Sequence, residues 1–144
     1  MKTYNGNIEN LLPNQIFVFG SNPLGINGNI ERNTGGAALF ALKNDWVIQG
    51  EKMDNKLSET GKSWGLTTVT RPGAKRSMSR AAICLGIKRL YNYAKDNPDK
   101  EFLIAYTSNS RNLNGYSSKE IKQMFFFTTS IPDNIIFEED FVKL

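Results

Sequence analysis

The run Ile16-Phe17-Val18-Phe19-Gly20-Ser21-Asn22, a polar loop through residue 34, and then Gly35-Gly36-Ala37-Ala38-Leu39-Phe40-Ala41 decide the fold of this chain. Residues 15–20 are short, nearly continuously apolar and rich in β-formers, which predicts a central strand covered on both faces. Residues 37–43 are too densely apolar for an exposed element and predict a buried helix. A strand, an irregular loop and a helix with no bulky first turn leave backbone N–H groups unpaired at the helix start. Phosphate binds well there. A phosphorylated small molecule or nucleotide is therefore the expected ligand class. The competing reading of Gly35-Gly36 is a plain start of a helix.

Working outward, Trp46-Val47-Ile48 predicts another short strand, and residues 50–62 a polar loop. Residues 66–70 read as a β-branched strand stopped by the turn signal Arg71-Pro72-Gly73. The clearest helix runs from about Ser77 to Asn97. Ile83, Ile87, Leu90 and Ala94 share its buried face, Lys88, Arg89, Lys95 and Asp96 lie off it, and Asn97-Pro98-Asp99 ends it. Residues 102–106 predict an apolar strand, followed by a second polar loop over 107–115. Ser117 and Glu120 have the capping-box spacing and open a helix carrying Ile121, Met124 and Phe125. Asn134-Ile135-Ile136-Phe137 closes the chain as a strand. This alternation predicts an α/β fold, one domain over residues 1–144, with a mixed central sheet flanked by helices. Ligands of such sheets bind beyond the carboxyl ends of the strands, where both polar loops fall.

Bulk properties narrow the chemistry. A chain of 144 residues with 40% hydrophobic and 22% charged residues builds a globular core. No apolar run approaches the roughly 20 residues of a membrane helix, so no membrane partner is expected. Met1-Lys2-Thr3-Tyr4-Asn5 lacks the apolar segment of a secretory signal, and the single Cys84 excludes an intrachain disulfide; a cytoplasmic location is expected. The absence of histidine excludes Ser-His-Asp and Cys-His chemistry and removes the commonest zinc ligand. No metal or cofactor is called for, and acid–base work would fall to Asp, Glu, Lys, Tyr or an activated water. The net charge of +4 is uneven. Between Glu59 and Asp96 there is no acid, while Lys62, Arg71, Lys75, Arg76, Arg80, Lys88, Arg89 and Lys95 fall inside. That block reads either as a surface for an anionic partner, phosphorylated ligand or nucleic acid, or as a solvated face.

The element order resembles the macro domain, the ADP-ribose-binding module. Gly6-Asn7-Ile8 stands where that family has a Gly-Asp-Ile turn, the first strand leads to Asn22, and Gly35-Gly36-Ala37 stands at its Gly-rich helix start. Residues 102–106 with the loop that follows look like its second phosphate loop, and residues 131–141 resemble the end of macro-like proteins of phages and bacteria. The resemblance implies a macro-like fold. It also implies base recognition at Asn7, ribose contact at Asn22 and diphosphate held by Gly35-Gly36, with Ile8, Ser21 and Ala37 beside them among the ligand-binding residues. The second loop would contribute Ser108, Asn109, Ser110, Arg111, Asn112, Leu113, Asn114, Gly115 and Tyr116. Asn22 offers both a donor and an acceptor to ribose hydroxyls; its bland role is an Asx turn.

Departures from the family pattern bear on activity. Asn7 replaces the base-binding acid. The second loop lacks the glycines usual before its last one and gains Arg111, which either clamps phosphate, blocks its path or lies free on the surface. The branch this chain is most similar to, the terminal ADP-ribose glycohydrolases and antitoxins acting on DNA, uses a lysine and an aspartate. Lys75 stands only approximately in register, and Asn114 stands near the aspartate's place. Lys75 is thus the candidate catalytic residue of an ADP-ribosyl hydrolase, with a solvated role as its alternative. An Asn cannot serve as acid or base, so binding without turnover is expected, as a sequestering or sensing protein in a phage setting. The remaining alternative is a basic nucleic-acid-binding module. Tyr116 reads as a stacking or a core ring, Trp46 and Trp64 as anchors with Trp64 also able to line a pocket, and Cys84 as inert packing. Phe125-Phe126-Phe127 reads as core with one ring exposed.

Overall fold

The computed structural model describes residues 1–128 and 130–144. In chain order the elements are β1 (Thr3–Tyr4), β2 (Gln15–Ser21), α1 (Gly36–Lys43), β3 (Lys56–Leu57), β4 (Ser63–Thr67), α2 (Arg80–Asp96), β5 (Glu101–Ile104), α3 (Ser118–Phe125), β6 (Ile135–Glu138) and α4 (Glu139–Val142). The strands form one six-stranded sheet ordered β1-β6-β5-β2-β4-β3. Neighbours run parallel except β3, which is antiparallel to β4. The chain is therefore α/β with a mixed, mostly parallel sheet flanked by helices.

The apolar run of β2 has its cause in this placement. Successive strand residues point to opposite faces. Ile16 and Val18 enter a core with Ile83, Ile87 and Leu90 of α2 and Ile121 and Phe125 of α3. Phe17 and Phe19 enter a second core with Ala38, Ala41 and Leu42 of α1 and Trp46. Each such buried side chain contributes about 1.5–3 kcal/mol. Because β2 is sandwiched, no polar residue alternates within its central four positions.

The topology also opens a crevice. From β2 the chain passes to β4 on one side and returns through α2 to β5 on the other side. The loops leaving β2 and β5, adjacent and parallel, diverge onto opposite faces, toward α1 and α3. A gap at the carboxyl ends of these strands is the consequence.

Several local expectations needed correction. Trp46-Val47-Ile48 is not a strand. Asp45 reverses the chain with φ 59°, the Trp46 N–H donates to Ala41 O at 2.9 Å, and the Trp46 carbonyl accepts from the Thr60 and Ser63 hydroxyls. With its backbone groups so engaged, the stretch buries Trp46 and Val47 beside Phe17 without joining the sheet. The region expected as loop over 50–62 contains β3. Strand β4 ends at Thr67, not at residue 70, because its partner β2 stops at Ser21, and only the Thr68 N–H still reaches Ser21 O. Helix α2 starts after Ser79, whose hydroxyl accepts from the Ala82 N–H; Ser77 is engaged by the Thr70 N–H instead. The Ser117–Glu120 capping box forms on α3 as its spacing requires. Phe125 is buried, Phe126 half-buried and Phe127 exposed. Cys84 is half-buried beside Met124, and burial raises its thiol pKa. Among the described residues no helix is long and apolar enough to cross a membrane.

Candidate functional site

A cleft of about 670 Å³ lies over the ends of β2, β4 and β5, within the usual size of ligand sites. Its first bank is the loop over residues 22–34, and its construction begins with Asn22. The Asn22 side-chain oxygen accepts from the Leu24 N–H at 3.0 Å, and its amide donates to Ile26 O at 2.9 Å and to Asn27 Oδ1 at 3.2 Å. Asn27 answers by accepting from the Asn22 N–H and donating to the Asn22 carbonyl. The polar atoms of Asn22, 4% exposed, are thus engaged inside the loop. A tight turn paired between Asn29 and Thr34 then presents Arg32 at the cleft.

The loop lands on the helix start through two glycines. Gly35 adopts φ 121° and Gly28 φ 81°. A Cβ on Gly35 would overlap the Gly28 Cα, and one on Gly28 would overlap the backbone of Leu39. Glycine is required here so that one backbone can lie on another. Helix α1 has no side-chain cap and no acid in its first turn. Gly35 O accepts from the N–H groups of Ala38 and Leu39, which leaves those of Gly36 and Ala37 without a partner among the described residues. Both residues line the cleft. Unpaired N–H groups at the positive end of a helix attract an anion.

The second bank is the loop over residues 107–115, held from behind. The Ser108 N–H donates to the buried Glu138 carboxylate at 3.2 Å, and the Thr107 N–H to Ser110 Oγ at 2.6 Å. Asn114, 4% exposed, accepts the Tyr116 N–H at 2.9 Å and donates to the Tyr106 hydroxyl at 3.1 Å. Arg76 braces this loop. Its N–H reaches Asn114 O at 2.7 Å, and its guanidinium lies 4.6 Å over the Tyr116 ring and pairs with Glu120. Tyr106 stands on the floor, beside Gly20, where a Cβ would overlap its hydroxyl. Burial, opposed by the hydrogen bonds of Thr68 and Asn114, pushes that hydroxyl up to about 12, so it is a neutral donor at ordinary pH.

An apolar recess of about 440 Å³ continues the cleft past Asn7, Gly36, Ala37, Ala105 and Thr107. Tyr4, Ile8, Glu9, Phe17 and Phe40 complete its walls. The Tyr4 hydroxyl is committed to Ile104 O at 2.7 Å, and burial together with the Glu138 charge raises its pKa.

Of the residues expected at a site, Asn7, Ser21, Asn22, Gly35, Gly36, Ala37, Ser110, Arg111, Asn112, Leu113 and Asn114 line the main cleft, and Ile8 lines the recess. Ser108, Asn109, Gly115 and Tyr116 do not. Ser108 is tied to Glu138, and Tyr116 is buried with its hydroxyl on Met78 O at 2.6 Å. Ser21 is buried with its hydroxyl on Met53 O. Lys75 is exposed and outside the lining; its Cβ lies behind the second loop, where Gly115 leaves room for it. The basic block divides. Arg76 and Arg80 pair with Glu120, whose carboxyl the Ser117 N–H and then these arginines hold below its usual range, and Lys88, Arg89 and Lys95 lie along the exposed face of α2. Sequence reasoning missed Arg32, Thr68 and Tyr106. Arg32 sits in a loop already marked, but neither residue type nor spacing set it apart. Thr68 and Tyr106 read as strand residues, and only strand ends placed side by side bring them to the floor.

Among the described residues no cluster of His, Cys, Asp and Glu is placed to hold a metal ion. No protein-family model, no curated protein and no solved structure matches this chain.

Proposed function

We propose that this protein binds ADP-ribose or a related NAD-derived nucleotide in the cleft and holds it without turnover, as a sequestering or sensing protein. The observation that carries the reading is the composition of the main cleft. Its lining includes Arg32 and Arg111, one from each bank, and contains no Asp, Glu, Lys, Cys or His. Neither guanidinium has a side-chain partner among the described residues. With the open N–H groups of Gly36 and Ala37, this is an anion site of two guanidiniums and a helix start. The adjoining recess, walled by Ile8, Phe17 and Phe40, suits a flat base. A diphosphate between base and sugar spans the two.

The same lining argues for holding. Hydrolysis of a glycosidic bond needs a group to take or give a proton. The lining offers two arginines and Tyr106, whose hydroxyl stays protonated near neutral pH, and no carboxylic acid, lysine or histidine beside them. The second reading, an ADP-ribosyl hydrolase using Lys75, rests on the seat of Lys75 against the second loop at Gly115.

Titration of the protein with ADP-ribose by calorimetry, with chromatography of the ligand afterwards, tests the proposal. Saturable binding with ligand recovered intact is expected. Absence of binding, with salt-steep binding of single-stranded DNA instead, overturns it in favour of a nucleic-acid module. Release of ADP-ribose from a modified substrate, lost in Lys75→Ala, overturns it in favour of the hydrolase.

A further inference from the structure

We propose that Asn114, Tyr106 and Thr68 form a directed hydrogen-bond chain that delivers one hydroxyl proton from the cleft floor to an acceptor-only oxygen of the bound ligand, a non-bridging phosphate oxygen. The inference rests on the nucleotide-binding reading and specifies which ligand atom the floor takes. Direction is set by a backbone amide. The Tyr116 N–H only donates, and it lies 2.9 Å from Asn114 Oδ1. The Asn114 oxygen must face it, so the NH₂ faces Tyr106, whose oxygen accepts at 3.1 Å.

Tyr106 must therefore send its own proton elsewhere. Its neighbour is the Thr68 hydroxyl: both groups converge on the space above Gly20, where a Cβ would lie 3.1 Å from Thr68 Oγ1 and overlap the Tyr106 hydroxyl. Two hydroxyl protons meet there, and a bond between the two side chains would use one. The other is left over, on Thr68 if Tyr106 donates and on Tyr106 if Thr68 donates. Tyr106 is 8% and Thr68 3% exposed, both line the cleft, and neither hydroxyl has a further acceptor among the described residues. The spare donor therefore opens on the cleft rather than into the core. A phosphate oxygen, drawn in by Arg32 and Arg111, accepts from it there. Asn114 is a positioning residue in this scheme. An aspartate there would accept from both Tyr116 N–H and Tyr106 O–H, reversing the chain and removing the spare proton.

Calorimetric titration with ADP-ribose of the wild type, Tyr106→Phe, Thr68→Val, Asn114→Asp and the double variants Tyr106→Phe/Thr68→Val and Tyr106→Phe/Asn114→Asp tests the chain, with melting curves to verify folding. Tyr106→Phe and Thr68→Val each leave one hydroxyl with its proton free and should bind close to the wild type, whereas Tyr106→Phe/Thr68→Val leaves none and should bind about tenfold more weakly. Asn114→Asp should cost more in the wild type than in the Tyr106→Phe background, by about that same factor, because only Tyr106 can be turned toward a carboxylate. Asn114→Asp keeps both hydroxyls in place, so it carries the test if Tyr106→Phe fails to fold. Wild-type affinity in folded Asn114→Asp or Tyr106→Phe/Thr68→Val, or an equal cost of Asn114→Asp in both backgrounds, overturns the chain while leaving the nucleotide reading intact. A wild-type protein that does not bind ADP-ribose overturns that reading and the chain with it.

Discussion

Replacing Asn22 by Ala separates a ligand contact from a loop clasp. The side chain makes three bonds, to the Leu24 N–H, Ile26 O and Asn27 Oδ1. Truncation removes all three but spares the two bonds between Asn27 and the Asn22 backbone. Leu24 and Ile26 are themselves exposed, so their freed backbone groups regain water. The loss is then about 1 kcal/mol for each of the two backbone partners, or ~2 kcal/mol in all. For a chain of this size that lowers the melting temperature by about 4–8 °C. Asn22→Asp should cost more than Ala. It keeps the acceptor for Leu24 but sets a carboxylate against two oxygens. Thermal and urea unfolding measure the loss, and calorimetry with ADP-ribose shows whether affinity falls with it. The clasp predicts a lower melting temperature in both variants, ordered Asp below Ala below wild type. An unchanged melting temperature with weakened binding would sink the clasp and return Asn22 to the ligand.

Three further outcomes follow from the same geometry. Arg32→Ala and Arg111→Ala should each weaken ADP-ribose binding about tenfold at low salt, with little effect on melting temperature; wild-type affinity in both removes the arginines from the site. Gly35→Ala should cost about 2 kcal/mol or more, from its φ of 121° and the contact with Gly28, and should weaken binding along with it; a stable variant with a full melting curve refutes the close approach. Stability should fall as pH rises above about 10. Burial raises the pKa values of Tyr4, Tyr91 and Tyr106, so the unfolded chain releases tyrosine protons first while the folded chain keeps them. The contribution is complete below pH 10 and is lost as pH climbs toward the folded values. Urea midpoints from pH 8 to 11 measure it, and a flat profile contradicts the burial of these hydroxyls.

Elements whose reason is local were legible in the sequence. The apolar run of β2, the spacing of Ile83, Ile87, Leu90 and Ala94, and the Ser117–Glu120 box each carry their cause within a few residues. The stretch at Trp46 was not, because its composition suits a strand and only its backbone partners, Ala41, Thr60 and Ser63, keep it out of the sheet. The two banks of the cleft were legible as polar loops at strand ends. Which side chains face inward was not. Asn22 and Asn114 have the right chemistry for a ligand, yet their amides are bound up in holding their own loops, whereas Arg32 faces the cleft from an unremarkable position.

Asn114 joins the question of architecture to that of activity. An acid in its place would be 4% exposed and would still find the Tyr116 N–H and the Tyr106 hydroxyl. Those two donors would stabilise its charged form and hold its pKa down, so it would make a weak base for a water molecule. Asn114→Asp should therefore not create hydrolysis of ADP-ribosyl bonds by itself. Such a cut also needs a group to stabilise the opened sugar or to protonate the leaving atom, and the lining supplies neither a carboxylic acid nor a lysine. Measured turnover in Asn114→Asp, with the wild type inactive, would contradict this and would show that one carboxylate is all that separates holding the nucleotide from cutting it.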